Sequence, residues 1–346
     1  MSEPDDDVDR MLAVLAWWFS KLHKHKGRVH KPFNSILGEQ FFCHWEVDGD
    51  SAGAAGGSGG ARDGTSASSV TAVADGGKVR VEYITEQVSH HPPVSAFVYR
   101  CKERGIEAAG MDHITAKFTG LSATVATGKE CHGIFVTLGQ RDGEMYKCTH
   151  PVGSIVGWLR GTLRVQLIES SYMVCAQTGL AAVIEFKEER WFGKSKGNVS
   201  GAVFRYDAQA HGDAIAGWRL KDIPRECTVV ATLGGSWDQK VTVQRPGAEE
   251  RELIDMGALQ AADRVVKPLA EQGEHESRRV WEPVAAQMRQ GRYGDATRLK
   301  REIEDRQRDL AAARTQQGEP FVPALFKPGY AATGRPELLD DAPLNL

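Results

Sequence analysis

Residues 79–83 read Val79-Arg80-Val81-Glu82-Tyr83, apolar and charged in strict alternation. Successive side chains on an extended strand point to opposite faces, so this period of two predicts a strand with one apolar and one solvated face. Outward from it, similar short runs fall at 113–119, 133–138, 163–169, 181–187, 198–206, 226–233 and 240–245, separated by Gly-rich turns. Gln40–Glu46 reads as a further strand. Many short strands without helices between them predict an antiparallel sheet or barrel, because parallel strands need long crossovers.

Helical spacing frames this β body. Val8, Met11, Leu12, Leu15, Phe19 and Leu22 recur three and four apart, which predicts an amphipathic helix over 7–24 with acids at its positive end. Helical spacing returns over 274–289 and 292–314, a C-terminal helical subdomain taken to span 274–318. The chain after Pro320 carries four prolines and is expected to be irregular, with 331–346 as a tail outside the domain. Residues 49–77 are almost entirely Gly, Ala, Ser, Thr and Asp, a composition too poor in apolar groups to repay ordering; a mobile insertion is expected there. The expected class is mainly β, α+β, over residues 1–330.

With 346 residues and 41% apolar content, the chain can bury a sizeable core. Its 43 basic and 46 acidic residues give a net charge of −3, which argues against nucleic acid as a partner. The six cysteines are scattered without a CxxC pair, so neither a disulfide framework nor a zinc ribbon is expected. The longest apolar run, Met11–Phe19, is nine residues, and five acids among the first nine residues do not resemble a signal peptide. The expected location is the cytosol.

Nucleotide motifs fail: Phe192-Gly193-Lys194-Ser195 resembles the end of a phosphate loop, but Glu188 stands where its first glycine belongs. Glu86-Gln87-Val88-Ser89-His90-His91-Pro92-Pro93 places two imidazoles before a diproline that ends strand pairing. Adjacent strand residues face opposite ways, which disfavours a shared metal; anion binding through ring N–H groups needs less convergence, and a purely structural pair is the plain alternative. Lys31-Pro32-Phe33-Asn34 combines a cation, an amide and a rigid turn, suited to clamping a phosphate or to starting a solvated loop. Lys300, Glu304 and Arg308 lie at i, i+4 and i+8 beside the apolar row Ala296, Leu299 and Ile303. By itself that pattern also fits an ion-paired helix face worth about 0.3–0.5 kcal/mol per pair.

Together these segments resemble the oxysterol-binding-protein-related family. Glu86–Pro93 matches its EQVSHHPP fingerprint without a mismatch, and Lys31–Asn34 with Leu37-Gly38-Glu39 resembles its KPFNPLLGE segment, with Ser35 in place of a proline. Gly234-Gly235-Ser236-Trp237, Glu276–Trp281, the helix bearing Lys300, Glu304 and Gln307-Arg308, and Phe321–Phe326 resemble later landmarks in the same order, so the resemblance covers about residues 8–330. It implies a large, nearly closed antiparallel β-barrel around a lipid tunnel, with helices on its C-terminal side. It also implies binding of phosphatidylinositol 4-phosphate, exchanged between membranes for a sterol or another lipid, without a chemical step and without a cofactor. The head-group ligands carried over are Lys31, Asn34, His90, His91, Lys300 and Arg308, with Glu304 bracing the two cations of its helix.

The family also has a long segment before the first helix, including a lid over the tunnel; only a few residues precede the helix here, so the lid is expected to be missing. That opens an alternative, a phosphoinositide sensor or scaffold that binds without transferring. A phosphoesterase using His90 or His91 is the remote third reading, since no nucleophile or metal ligands accompany them. The basic stretch Lys21–Arg28 is expected to dock on an anionic membrane surface, giving a cytoplasmic protein in peripheral association with membranes.

Overall fold

A computed structural model describes residues 1–23, 33–49, 77–118, 120, 123–156, 164–187 and 198–346. The strands among them are β1 Gln40–Asp48, β2 Lys78–His90, β3 Pro93–Cys101, β4 Ile106–Asp112, β5 Ile114–Phe118, β6 Ala123–Thr127, β7 Ile134–Leu138, β8 Glu144–Cys148, β9 Val152–Val156, β10 Arg164–Ile168, β11 Ser170–Cys175, β12 Leu180–Phe186, β13 Val199–Arg205, β14 Val229–Gly235, β15 Lys240–Gln244 and β16 Arg251–Asp255. The helices are α1 Asp7–Ser20, α2 Ala208–His211, α3 Ser277–Arg289, α4 Tyr293–Gln317 and α5 Tyr330–Thr333. Of the expected insertion 49–77, residues 50–76 lie outside the described residues, as do Phe192–Ser195 and Lys31.

Twelve strands form one antiparallel sheet in the order β1-β2-β3-β4-β7-β8-β11-β12-β13-β14-β15-β16, and β10-β9-β6-β5 form a second sheet. This corrects the expectation of a nearly closed barrel: among the described residues no ladder joins β1 to β16. The reason lies at the β1 edge, where irregular chain takes the place of a partner strand. His44 N donates to Val265 O at 3.0 Å, Val265 N to His44 O at 2.8 Å, and Gln40 N to His275 O at 2.8 Å. An edge whose polar groups are satisfied in this way has no need of a neighbouring strand.

The apolar stripe of α1 is buried completely: Val8, Met11, Leu12, Leu15, Trp18 and Phe19 form one core with residues of β3, β4, β7, β8 and β11–β16. Ten strands laid flat would span roughly 48 Å, about four times the width of a helix, so the sheet curls over α1. Each buried side chain of this size stabilises the fold by about 1.5–3 kcal/mol. Asp6 caps the helix by accepting the Asp9 N–H at 2.9 Å. The helix stops at Ser20, short of the expected 24, because Lys21 N, Leu22 N and His23 N bond three residues back and tighten the last turn.

The outer face of β1–β4 carries Phe42, Ile84, Val88 and Met111, covered by Leu325 and Phe326 and by Tyr330, Leu338, Leu344 and Leu346. The tail has little regular structure but is held. Asn345 donates to Glu271 O at 2.9 Å and to Glu276 Oε1 at 2.6 Å.

Candidate functional site

The site begins with backbone pairing between the two most distinctive sequence segments. Gly38 N donates to Gln87 O at 2.8 Å and Gln87 N to Glu39 O at 2.8 Å, just before the β1–β2 ladder starts at Gln40↔Glu86. Gly38 takes a left-handed φ of 79°, and Phe321 covers the place where a Cβ would stand. Glu39 is buried beneath this loop and accepts three bonds: from Ile36 N at 2.9 Å, Ser277 Oγ at 2.6 Å and Trp281 Nε1 at 3.1 Å. The loop is thereby fixed to α3. Phe33 stacks on Trp281 with ring centroids 4.5 Å apart, and Phe33 and Ile36 share an apolar cluster with Leu299 and Ile303 of α4.

His90 joins the fingerprint to the same loop, with Nδ1 3.0 Å from Ser35 O. A carbonyl oxygen only accepts, so Nδ1 carries the hydrogen and Nε2 is the ring atom left for a ligand. His91 is exposed and meets His90 edge-on, centroids 4.7 Å apart. Asn34 is exposed on the loop, next to the carbonyl that holds His90. Lys300 Nζ pairs with Glu304 on half-buried positions of α4, whereas Arg308, a turn farther on, is exposed and pairs with Asp305. The expected brace therefore reaches Lys300, and for Arg308 Asp305 takes its place. The structure thus gathers the 33–39 loop, the His90–His91 turn and the Leu299–Ile303 segment of α4 at one locality.

A cavity of about 680 Å³ lies along the inner face of β1–β4 and β7. That volume lies within the range of small-molecule sites. Val79, Val81 and Tyr83, the alternating residues of β2, line it, with Phe97, Tyr99, Ile106, Ala108, Ile134 and Val136. From Ile106 to Asp112 the wall runs six residues, roughly 20 Å at strand rise. One end is formed by Met1, Ser2, Glu3 and Gly49 with Arg104, whose guanidinium reaches Glu3 at 3.1 Å.

The other end is polar: Lys21, Asp112 and His150 face the void. Lys21 and Asp112 keep accessible surface toward the cavity while protein encloses them behind, and the Lys21 ammonium sits 5.6 Å from the Trp17 ring centroid. Burial lowers the Lys21 ammonium to about 8, opposed by Cys148, Asp112 and Cys131. Burial, then the Lys21 charge, pushes His150 down to about 4. Burial raises the Asp112 carboxyl, with Lys21 opposing. Lys21, the first cation of the stretch expected to dock on a membrane, thus lines the cavity. Lys24, Lys26 and Arg28 lie outside the described residues.

Sequence reasoning missed this polar end. Lys21 was hidden in a run of cations, and Asp112 gave one signal, as a charge closing the apolar stretch Ala108–Met111. Among the described residues no three His, Cys, Asp or Glu converge as a metal site, and no helix is long and apolar enough to cross a membrane.

Comparison with known proteins gives a family model, oxysterol-binding protein, matching residues 1–294. Oxysterol-binding protein-like protein 1 of Schizosaccharomyces pombe is 32% identical over 418 residues, covering 99% of this chain and 80% of that protein. Oxysterol-binding protein-like protein OBPa of Candida albicans is 31% identical, covering 93% of this chain and 64% of its own length. Among solved structures, the Osh1 ORD domain in complex with cholesterol superposes with a TM-score of 0.63 at 21% identity, covering 98% of this chain and 75% of that one. The Osh3 ORD of Saccharomyces cerevisiae in complex with PI(4)P superposes at 0.58 and 16% identity, over 98% of this chain and 77% of that one.

Proposed function

The chain belongs to the oxysterol-binding protein family, and we propose that it carries a phosphoinositide with its tails in the cavity and its head group at the His90–His91 turn. The observation that carries this reading is the unbroken fingerprint Glu86–Pro93, laddered to the 33–39 loop, at the same end of the sheet as the polar end of an apolar cavity. A phosphomonoester with nearly two negative charges needs several converging donors. Asn34, His90, His91 and Lys300 supply them here, with Glu304 orienting Lys300. Lys31 and Arg308 complete the proposed set from the sequence pattern, with residues 1–330 acting as one lipid-binding unit.

The names of the solved neighbours support two ligands, since Osh1 ORD is described with cholesterol and with ergosterol and Osh3 ORD with PI(4)P. We therefore read the cavity as alternately holding a phosphoinositide and a sterol or another lipid, exchanged between membranes by a cytoplasmic protein that visits their surfaces. No chemical step is involved. The test is transfer of labelled phosphatidylinositol 4-phosphate from donor to acceptor vesicles, with sterol supplied in the acceptor. Protein-dependent transfer, accelerated by acceptor sterol, is the expected result. Binding to donor vesicles without transfer would instead make the chain a sensor or scaffold.

A further inference from the structure

The four-stranded sheet is not used by the proposed lipid site, and its position and composition point to a separate role. The register places it in the molecule. β3 and β4 pair Ser95 with Asp112, so Asp112 lies at the end of the main sheet that carries the His90–Pro93 turn. β5 continues from that end: Gly128 N donates to His113 O at 2.7 Å, fixing the base of the β5–β6 hairpin there. Phe118 lies four residues beyond Ile114, roughly 13 Å farther out. The small sheet is thus an extension of the molecule past its head-group end.

Directly paired residues of a sheet share a face. Phe118 pairs with Ala123, Ala123 with Ile155, and Ile155 with Val165, giving an apolar row across the outer part of all four strands. Ala116, Val125, Gly153 and Leu167 form the next row on the same face. The two ends of the outer row are open to solvent, Phe118 at 77% and Val165 at 49%, and Ile114 is 64% exposed, whereas Ala123 between them is buried and Leu167 of the next row packs against the α1 core. Apolar groups this exposed, gathered on one face, mark an interaction surface. The four strands contain no acidic residue, and Lys117 of β5 is exposed on the opposite face from the apolar row.

We infer that this face, led by Phe118 and Ile114, is the element that enters the membrane surface when the head-group site meets its lipid. The partner is a lipid bilayer with anionic head groups, and the choice of partner rests on the function proposed above. The head-group site must reach the plane of the phosphates to take its ligand, and the small sheet extends from that same end. Its apolar row matches the acyl boundary, and strands without an acidic residue, with exposed Lys117 on the reverse face of β5, suit an anionic interface.

The test makes the Phe118→Trp substitution in the full chain and follows the emission that the new indole adds to that of the parent, on mixing with phosphatidylcholine vesicles with and without phosphatidylserine. Blue-shifted emission, quenched by brominated acyl chains and stronger with phosphatidylserine, is expected. Phe118→Asp should reduce vesicle association by about tenfold or more, the scale of one large side chain removed from an apolar environment. Its unfolding midpoint should be unchanged, because Phe118 is exposed. Binding of a water-soluble inositol phosphate bearing the 4-phosphate should also be unchanged. Emission unmoved by vesicles, or Phe118→Asp associating like the wild type, overturns the inference. So does a concentration-dependent dimer without vesicles that Phe118→Asp abolishes, which would assign the face to a second copy. Insertion of the Phe118→Trp indole into vesicles, in a protein that does not bind the soluble phosphate, refutes the lipid site and leaves the docking surface standing.

Discussion

His90 and Ser35, 55 residues apart, are joined by a contact of 3.0 Å between the Nδ1 atom of the imidazole and the backbone oxygen of the serine. The contact uses the main chain, so the side chain at position 35 is not needed for it. A neutral His90 should therefore be the Nδ1–H tautomer, and nitrogen NMR of the imidazole should report it. Ser35→Pro should leave that tautomer unchanged. An Nε2–H form in the free protein would mean that the fingerprint is not held by the loop in this way.

Glu39 is the fastening of the site. Replacing it with Ala strands three donors, Ile36 N, Ser277 Oγ and Trp281 Nε1, in a buried place. Each unsatisfied donor costs about 1–3 kcal/mol, less than additively. Urea unfolding should show Glu39→Ala well below the wild type, and Glu39→Gln in between because its amide oxygen still accepts.

Arg10 and Glu144 form a buried two-pronged pair under α1, with Nε–Oε1 at 2.9 Å and Nη2–Oε2 at 2.8 Å, and Tyr146 also donates to Glu144. Removing one partner strands the other charge, at about 3–5 kcal/mol; Arg10→Met alone should be far more damaging than Arg10→Met with Glu144→Leu. Burial opposes the Glu144 charge, but the bonds from Arg10 and Tyr146 prevail and hold its carboxyl below the ordinary value of 4.5. The stability it contributes is present above pH 4.5 and is lost as pH falls through the depressed folded value. Acid unfolding of Glu144→Gln should lack that component.

Lys21 offers a readout of cavity occupancy. With its ammonium lowered to about 8, it holds a reactive free amine at a pH where ordinary lysines do not. Amine-directed labelling at pH 8, read by peptide mass spectrometry, should favour Lys21 in the empty protein. Loading with sterol or phosphoinositide should protect it. Labelling no faster than at surface lysines, or no protection, would place it outside the lipid path.

Much of the fold could be read from alternation, and the exceptions are physical. Val79, Val81 and Tyr83 alternate because one face lines the cavity and the other meets solvent and the Glu82–Arg100 pair. β4 escaped notice because Ala108, Ala109 and Met111 are buried on both faces, between α1 and the C-terminal tail, so the run shows no period. The open sheet was not legible either, since the edge of β1 is closed by irregular chain around Val265 and His275. Of the site, the His90–His91 turn and the loop at Asn34 were legible from their motifs. Pairing of Arg308 with Asp305 was not, because the acids at i−4 and i−3 compete for one guanidinium and spacing cannot decide between them.

The most direct test of the lipid site is extraction of fluorescent phosphatidylinositol 4-phosphate from vesicles by the wild type and by a His90→Ala, His91→Ala double variant. Extraction by the wild type and its loss in a folded double variant is the predicted result. Equal extraction by both proteins would contradict a head-group site at the His90–His91 turn.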